Sequence, residues 1–313
     1  MDLKLKSILV TGGDGLVGSA IKSLELSYRG TYYFIFLNSK MCDLTDYHET
    51  FKLINAIEPN IIIHLAACVG GLFKNMSQKV KMFDDNILIN THIIKAAHAC
   101  GVKDLIACLS TCVFPEELNY FNESNIHDGP PHNSNEGYAY AKRMLEIQCR
   151  LYSKEYNVNY NCIIPTNIYG SFDNFNLEDS HVIPSLIHKC YLAKQNKVPF
   201  EVKGTGKPLR QFIYSLDLAK LIFIILENGV KGNVILSPTE EYSILEVAEM
   251  INSHFQNEMV INSSYSDGIY RKNADNSKLN TILNKIDFEF TDLRIGIDLT
   301  IKWFIENYNT LRK

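Results

Sequence analysis

Short apolar runs and longer stretches of helical period alternate through the first half of the chain. Residues 7–10, 33–37, 61–65, 104–109 and 160–164 are apolar and rich in β-formers, with helical stretches between them. Runs of this length, alternating with helices, predict a parallel sheet wound with helices. The longest predicted helix covers about 79–100, with Gly101 as its stop and a strand starting just beyond. A second covers about 136–156. It begins after the loop 128–135, because Pro130 and Pro131 bar helix there. After Gly170 the rhythm weakens and polar loops intervene. The expected fold class is therefore α/β. A doubly wound parallel sheet spans 1–170 and is rejoined by 211–228, and a smaller mixed α/β domain is assembled from 171–210 and 229–313.

Length and composition fit this plan. The 313 residues exceed one small domain, and a hydrophobic content of 46% suffices for a sizeable core. A formal charge of −4 and a pI near 6.1 give no global basic field, so an anionic ligand must be held locally. The apolar run at 7–10 is cut short by Thr11-Gly12-Gly13, so no leader-type apolar region of about 7–15 residues develops, and a cytosolic protein is expected. Residues 216–226 are strongly apolar, but they include Asp217 and Lys220 and fall short of the roughly 18–20 residues of a membrane span. A buried core helix is expected there. The eight cysteines lack paired C-x-x-C spacing, which suits free thiols in a reducing compartment better than a disulfide or metal framework.

The first predicted strand runs into Gly12-Gly13-Asp14-Gly15-Leu16-Val17-Gly18, three glycines spaced three apart between a strand and a helix. In that setting Gly12 permits a tight turn, Gly15 lets backbone approach a pyrophosphate and Gly18 allows close helix packing, while the helix N-terminus faces the anion. A Rossmann-type dinucleotide site is expected, against the alternative of a merely structural turn. Where the second strand ends, an NAD-selective protein offers an acidic residue to the ribose. Here the chain reads Asn38-Ser39-Lys40. A lysine with hydroxyl and amide neighbours suits a 2′-phosphate, so NADPH is the expected cofactor. An ordinary solvated loop charge is the other reading of Lys40. Asp43 is a candidate for the adenine ring.

Tyr138 and Lys142 stand four apart at the start of a predicted helix and share a face, which Tyr140 does not. A nearby ammonium is expected to stabilise the phenolate and lower the phenol's pKa, so that the pair exchanges a proton with an alcohol or ketone oxygen. Ser110 ends the fourth predicted strand, where a doubly wound fold places its ligands, and its hydroxyl can bond the same oxygen.

The glycine loop, Leu65-Ala66-Ala67 after a strand, Ser110 and Tyr138-x-x-x-Lys142 together resemble the extended short-chain dehydrogenase/reductase family. Further segments resemble its branch of GDP-sugar epimerase-reductases: residues 109–115, 132–135, 165–170, 180–184, 204–206 and 210–212. This resemblance covers nearly the whole chain. It implies C3/C5 epimerisation of GDP-4-keto-6-deoxy-D-mannose, followed by NADPH-dependent reduction at C4 to GDP-L-fucose. It also implies Cys112 as the base and His181 as the acid of epimerisation, roles that a thiol and an imidazole fill near neutrality. Leu65, Ala66, Ala67, Pro165, Asn167, Ile168 and His181 then join Tyr138 and Lys142 around the cofactor. Lys189, Lys203, Arg210 and Asp267, with Lys272 beside them, meet the GDP-sugar, and the two long helices build a homodimer. Taken alone, Cys112 reads as a small buried hydrophobe, His181 as a helix cap and Lys189 as a solvated charge. His64, Cys68 and Cys108 read as structural. Two departures stand out: Asp14 replaces a basic residue, and Lys203 an aromatic one, of some bacterial relatives. The competing expectations are a different nucleotide-sugar epimerase or reductase, and a cofactor-sensing scaffold without chemistry.

Overall fold

The computed structural model describes residues 5–267 and 270–311, so the first four residues lie outside the described chain. One parallel sheet is built from β1 (Lys6–Thr11), β2 (Tyr32–Leu37), β3 (Ile61–His64), β4 (Asp104–Cys108), β5 (Asn159–Pro165) and β6 (Asn233–Leu236), in the order β6-β5-β4-β3-β1-β2. The main helices are α1 (Leu16–Ser23), α2 (Tyr47–Ile57), α3 (Lys79–Ala99), α4 (Glu136–Tyr156), α5 (Val182–Asn196), α6 (Ser215–Glu227), α7 (Ile244–Phe255) and α8 (Leu293–Asn307).

The strands are apolar without interruption because both faces of the sheet are covered. Leu9, Ile62 and Leu105 enter a core shared with Ile93, Ile94 and Leu145 of α3 and α4. Their neighbours Ile8, Val10, Ile63 and Ile106 point the other way, into a core with Ile21 of α1 and Leu221, Ile222 and Phe223 of α6. Successive side chains of a strand face opposite sides, so a run of apolar residues serves two layers at once. The first four expected strands and both long helices lie where the pattern puts them. Gly101, at φ +75°, follows α3, and Asn157, at φ +53°, ends α4. The apolar stretch at 216–226 lies within α6.

Past Gly170 a third core joins Tyr169, Phe175 and Phe200 to Ile187 of α5, Ile251 of α7 and Phe304 of α8. Two stretches differ from the sequence reading. Leu279, Ile282, Leu283, Phe288 and Phe290, expected in the smaller domain, pack into the main-sheet core with Ile21 and Phe223. Residues 233–236, expected in the smaller domain, pair with β5 as the edge strand of the main sheet. Val234, Ile235 and Leu236 are fully buried there. A run of three apolar residues is too short to declare itself a strand when no helix-strand alternation surrounds it.

Because β1 lies between β2 and β3, the chain leaves it in opposite directions, and the carboxyl ends of β1 and β3 border a crevice. A buried chain of hydrogen bonds fixes this corner. The Thr11 hydroxyl lies 2.8 Å from His64 Nδ1 and accepts the backbone N–H groups of Leu65 and Ala66, each at 3.1 Å. His64 Nε2 lies 3.1 Å from Asn90 Oδ1, and Asn90 Nδ2 donates to the Ala141 carbonyl at 3.4 Å. One arrangement of protons satisfies the series: Thr11 donates to a neutral imidazole, which donates to Asn90. Burial, and secondarily the Lys142 charge, hold the imidazole pKa down to about 3.

That depression gives a stability dependence with a definite sign. The unfolded imidazole takes up a proton near pH 6.5 and the folded one only near pH 3. The contribution is therefore complete above about 6.5 and is lost as pH falls, at roughly 1.4 kcal/mol per unit. Urea unfolding of wild type and of a His64→Gln variant is expected to show wild type clearly more stable at pH 7, with the gap narrowing by about 2–3 kcal/mol at pH 4.5. A gap independent of pH would remove the neutral buried imidazole from the account.

Candidate active site

At the end of β1 the chain turns through Gly12, whose φ of +71° disfavours other residues and whose Cα faces the Leu65–Ala66 backbone so closely that a Cβ would lie 3.0 Å from Ala66 N. At Gly18 a Cβ would fall 2.4 Å from the Gly12 carbonyl oxygen, so α1 packs directly on the turn. Gly15 occupies the N-cap. No side chain caps α1, and no acidic residue stands in its first turn. The first N–H groups and the positive end of the helix thus meet an anion without competition. These residues fit a dinucleotide diphosphate, with Gly13, Asp14, Leu16 and Val17 completing the loop.

Beyond β2, Asn38 ties two loops together. Its Nδ2 donates to Asp14 at 2.7 Å, and its Oδ1 accepts the Lys40 N–H at 3.1 Å. The Asp14 carboxylate is therefore engaged by an amide, which softens the effect of an acid in a phosphate loop. Ser39 and Lys40 are exposed beside it and could hold a 2′-phosphate. The Asp43 carboxylate is engaged by the N–H and hydroxyl of Thr45, which hold it below the usual range.

The walls of the crevice come from three strand ends. Leu65, Ala66 and Ala67 follow β3; Pro165 ends β5 and leads to Asn167, whose Nδ2 donates to the Gln211 carbonyl at 2.8 Å, and Ile168. Ser110 lies just past β4 and caps the turn Thr111–Val113, accepting the Cys112 N–H at 3.4 Å. From the side, α4 presents Tyr138 and Lys142. The Lys142 ammonium is 2% exposed, donates to the Cys108 carbonyl at 2.6 Å, and lies 5.7 Å from the Tyr138 ring centroid.

The electrostatics correct one expectation. Burial, with the thiols of Cys112, Cys108 and Cys68 nearby, pushes the Tyr138 phenol well above its ordinary pKa, whereas the sequence reading had the lysine lower it. Burial likewise lowers Lys142. Desolvation of an anion outweighs an ammonium seated over the ring, so the Tyr138 phenol is held in its protonated form. Burial also raises the Cys112 thiol, opposed by Ser110, Lys272 and Lys142. Cys112, Tyr138, Lys142 and Lys272 thus form one electrostatic group.

His181 stands apart from that group. It is exposed at the N-cap of α5, and among the described residues no hydrogen bond joins it to Cys112 or Tyr138. The GDP-sugar candidates fall into two sets. Lys272 is lowered by burial and by neighbouring Arg210, whose Nη1 donates to the Leu209 carbonyl. Burial and nearby Lys203 lower Lys189, and the Lys203 ammonium lies 4.4 Å from the Tyr265 ring centroid. Asp267 accepts the N–H and hydroxyl of Thr205, both at 2.6 Å, and so holds the loop between the two sets.

Sequence reasoning took His64 as structural but missed the polar partners that hold these parts with it. Besides Thr11, His64 and Asn90, Asn86 pins the segment after Ala67 by bonding both the N–H and the carbonyl of Cys68. Two asparagines four apart on the buried side of α3, with Met82, Ile93 and Ile94, were the available signal. A concavity lined by Lys6, Asn60, Cys100 and Asp104 opens at the opposite end of the sheet and is separate from this chemistry.

Residues 8–236 match the model of the NAD dependent epimerase/dehydratase family. Across 98% of both chains, the sequence is 45% identical to GDP-L-fucose synthase of Dictyostelium discoideum. It is 43% identical to a probable GDP-L-fucose synthase of Drosophila melanogaster, over 99% of this chain and 100% of that one. Its structure is similar to that of a GDP-L-fucose synthetase from Naegleria fowleri bound to NADP, with a TM-score of 0.92, 41% identity, and coverage of 100% of this chain and 97% of that one. A family model spanning well over half the residues, and relatives this similar from end to end, leave a single lineage: the chain belongs to the NAD dependent epimerase/dehydratase family.

Proposed function

We propose that this chain is a GDP-L-fucose synthase, which epimerises GDP-4-keto-6-deoxy-D-mannose at C3 and C5 and then reduces C4 with NADPH to give GDP-L-fucose. Relatives at 43–45% identity over the whole length bear that name. The observation that carries the reading is half-buried Cys112, which follows Ser110 at the end of β4 and shares one electrostatic group with Tyr138. A plain ketone reductase needs one proton donor. A second acid/base group beside it is what inversion at carbon requires.

In this reading the C4 carbonyl accepts hydrogen bonds from Ser110 and Tyr138 and acidifies the C–H bonds on either side. Cys112 removes a proton from one face, and His181 returns one from the other. Reduced nicotinamide supplies the hydride to C4. Tyr138 gives its proton to the resulting alkoxide, and Lys142 steadies the phenolate left behind. Arg210, Lys272 and Lys189 meet the diphosphate, while Lys203 and Asp267 border the sugar and ribose. The glycine loop holds the cofactor diphosphate, and Lys40 with Ser39 the 2′-phosphate. The smaller domain, 171–210 with 229–313 apart from β6 and the stretch 274–290, which packs on the cores of the main sheet, carries the sugar nucleotide, an assignment supported by its separate core. A homodimer through α3 and α4 is supported by Val80, Leu88 and Leu151, apolar residues exposed on those helices. Cytoplasmic residence is supported by eight cysteines that are all free thiols.

Loss of reduced-nicotinamide absorbance with the keto sugar, followed by chromatographic identification of GDP-L-fucose, tests the reaction. Tyr138→Phe is expected to lower kcat at least about 100-fold while leaving NADPH affinity within about twofold. Cys112→Ser is expected chiefly to slow uptake of solvent deuterium at C3 and C5. Normal uptake would remove the thiol from the base role. For Lys40→Ala, the preference for NADPH over NADH is expected to fall about tenfold, the loss of one charge-assisted contact. Unchanged preference would assign the 2′-phosphate to other groups.

A further inference from the structure

Helix α4 buries a second cation, which the chemistry above does not use. Arg143 is 4% exposed, yet among the described residues it has no carboxylate partner. Its Nε donates to the Val113 carbonyl at 2.7 Å, its guanidinium carbon lies 5.5 Å from the Tyr140 ring centroid, and Nη2 is buried with no hydrogen-bond partner. A guanidinium so placed has lost its water without gaining a counter-ion, and stacking on one ring offsets only part of that loss.

The group that gains is the turn Thr111–Val113. Its internal hydrogen bonds are long: 3.4 Å from the Cys112 N–H to Ser110 Oγ, 3.1 Å from the Val113 N–H to the Ser110 carbonyl, and 3.3 Å from the Phe114 N–H to the Thr111 carbonyl. The bond from Arg143 is shorter than any of these and comes from a rigid helix. The thiol it steadies faces Ser110 from its own turn, Tyr138 and Lys142 from α4, and Lys272, itself beside Arg210 and Glu116. Arg143 approaches from behind, and Tyr140 and Cys112 are the neighbours that favour its charge.

We propose that Arg143 is a positioning residue for epimerisation: by holding the Val113 carbonyl through Nε of a planar, permanently charged guanidinium fork, it aims the Cys112 sulfur at the sugar carbons and keeps a positive charge beside the thiolate. The inference rests on Cys112 acting as the base. It separates the two halves of the reaction, because Ser110, Tyr138 and Lys142 serve C4 without it.

The test measures deuterium uptake at C3 and C5 of GDP-4-keto-6-deoxy-D-mannose in D2O, with full-length enzyme and NADP, across pH. In Arg143→Gln, uptake is expected to fall about tenfold or more, with its rising limb moved to higher pH as the thiolate loses a neighbouring cation. NADP affinity and Tm should stay near wild type. With NADPH present, product should shift from GDP-L-fucose toward a GDP-6-deoxyhexose reduced at C4 without inversion. Arg143→Lys, which keeps the charge and loses the fork, should recover the pH limb but only part of the rate. Should the glutamine variant fail to fold, the lysine variant decides alone, and wild-type uptake in it would overturn the proposal. So would unchanged uptake in folded Arg143→Gln, or an equal loss of uptake, cofactor binding and reduction. No uptake by the wild-type enzyme would instead sink the reading of Cys112 as the base.

Discussion

The Lys142 ammonium is buried against the Cys108 carbonyl rather than against a carboxylate, and the character of the site follows from that choice. A buried charge must be hydrogen-bonded to persist. A carboxylate would satisfy the ammonium and cancel it. A backbone carbonyl satisfies it and leaves the charge in place, available to the phenol above it and the thiol beyond. The same bond fixes the height of α4 against the end of β4. It thereby sets where Tyr138 stands relative to Ser110 and Cys112, which follow that strand.

Burial makes the arrangement effective in one protonation state. Tyr138 and Cys112 are both held toward their neutral forms by desolvation, while Lys142 and Lys272 pull the thiol the other way. The phenol is held firmly to its proton, and the thiol is the group closer to giving one up. The buried series through Thr11, His64 and Asn90 ends on the carbonyl of Ala141, the residue before Lys142, so the glycine turn and the catalytic helix share one framework. A shift in either is felt by the other because every side chain in the series is buried.

Much of this was legible from residue order. Two-sided burial writes itself as continuous apolar runs, and Gly101 marked a helix end correctly. Tyr138 and Lys142 could be placed on one helix face from their spacing. Other features were not legible, for physical reasons. Strand β6 is four residues long and lies far along the chain from the sheet it completes. The direction of the Tyr138 shift depends on how completely three cysteines and the helix exclude water, which spacing does not report. Asn86, Asn90 and Arg143 are polar residues on buried helix faces, and their partners are backbone groups of segments remote in sequence. Binary patterning records that such a residue interrupts an apolar face, without saying what it bonds.

The late position of β6 has a consequence for synthesis of the protein. A chain emerging from the ribosome can assemble five strands once β5 is out, but the outer edge of β5 stays unpaired until residue 236 follows. Throughout that interval the nascent sheet offers a row of bare backbone donors and acceptors next to apolar side chains, the kind of surface on which neighbouring chains begin to aggregate. The stretch of translation between the fifth strand and the sixth is therefore when this enzyme most needs a chaperone.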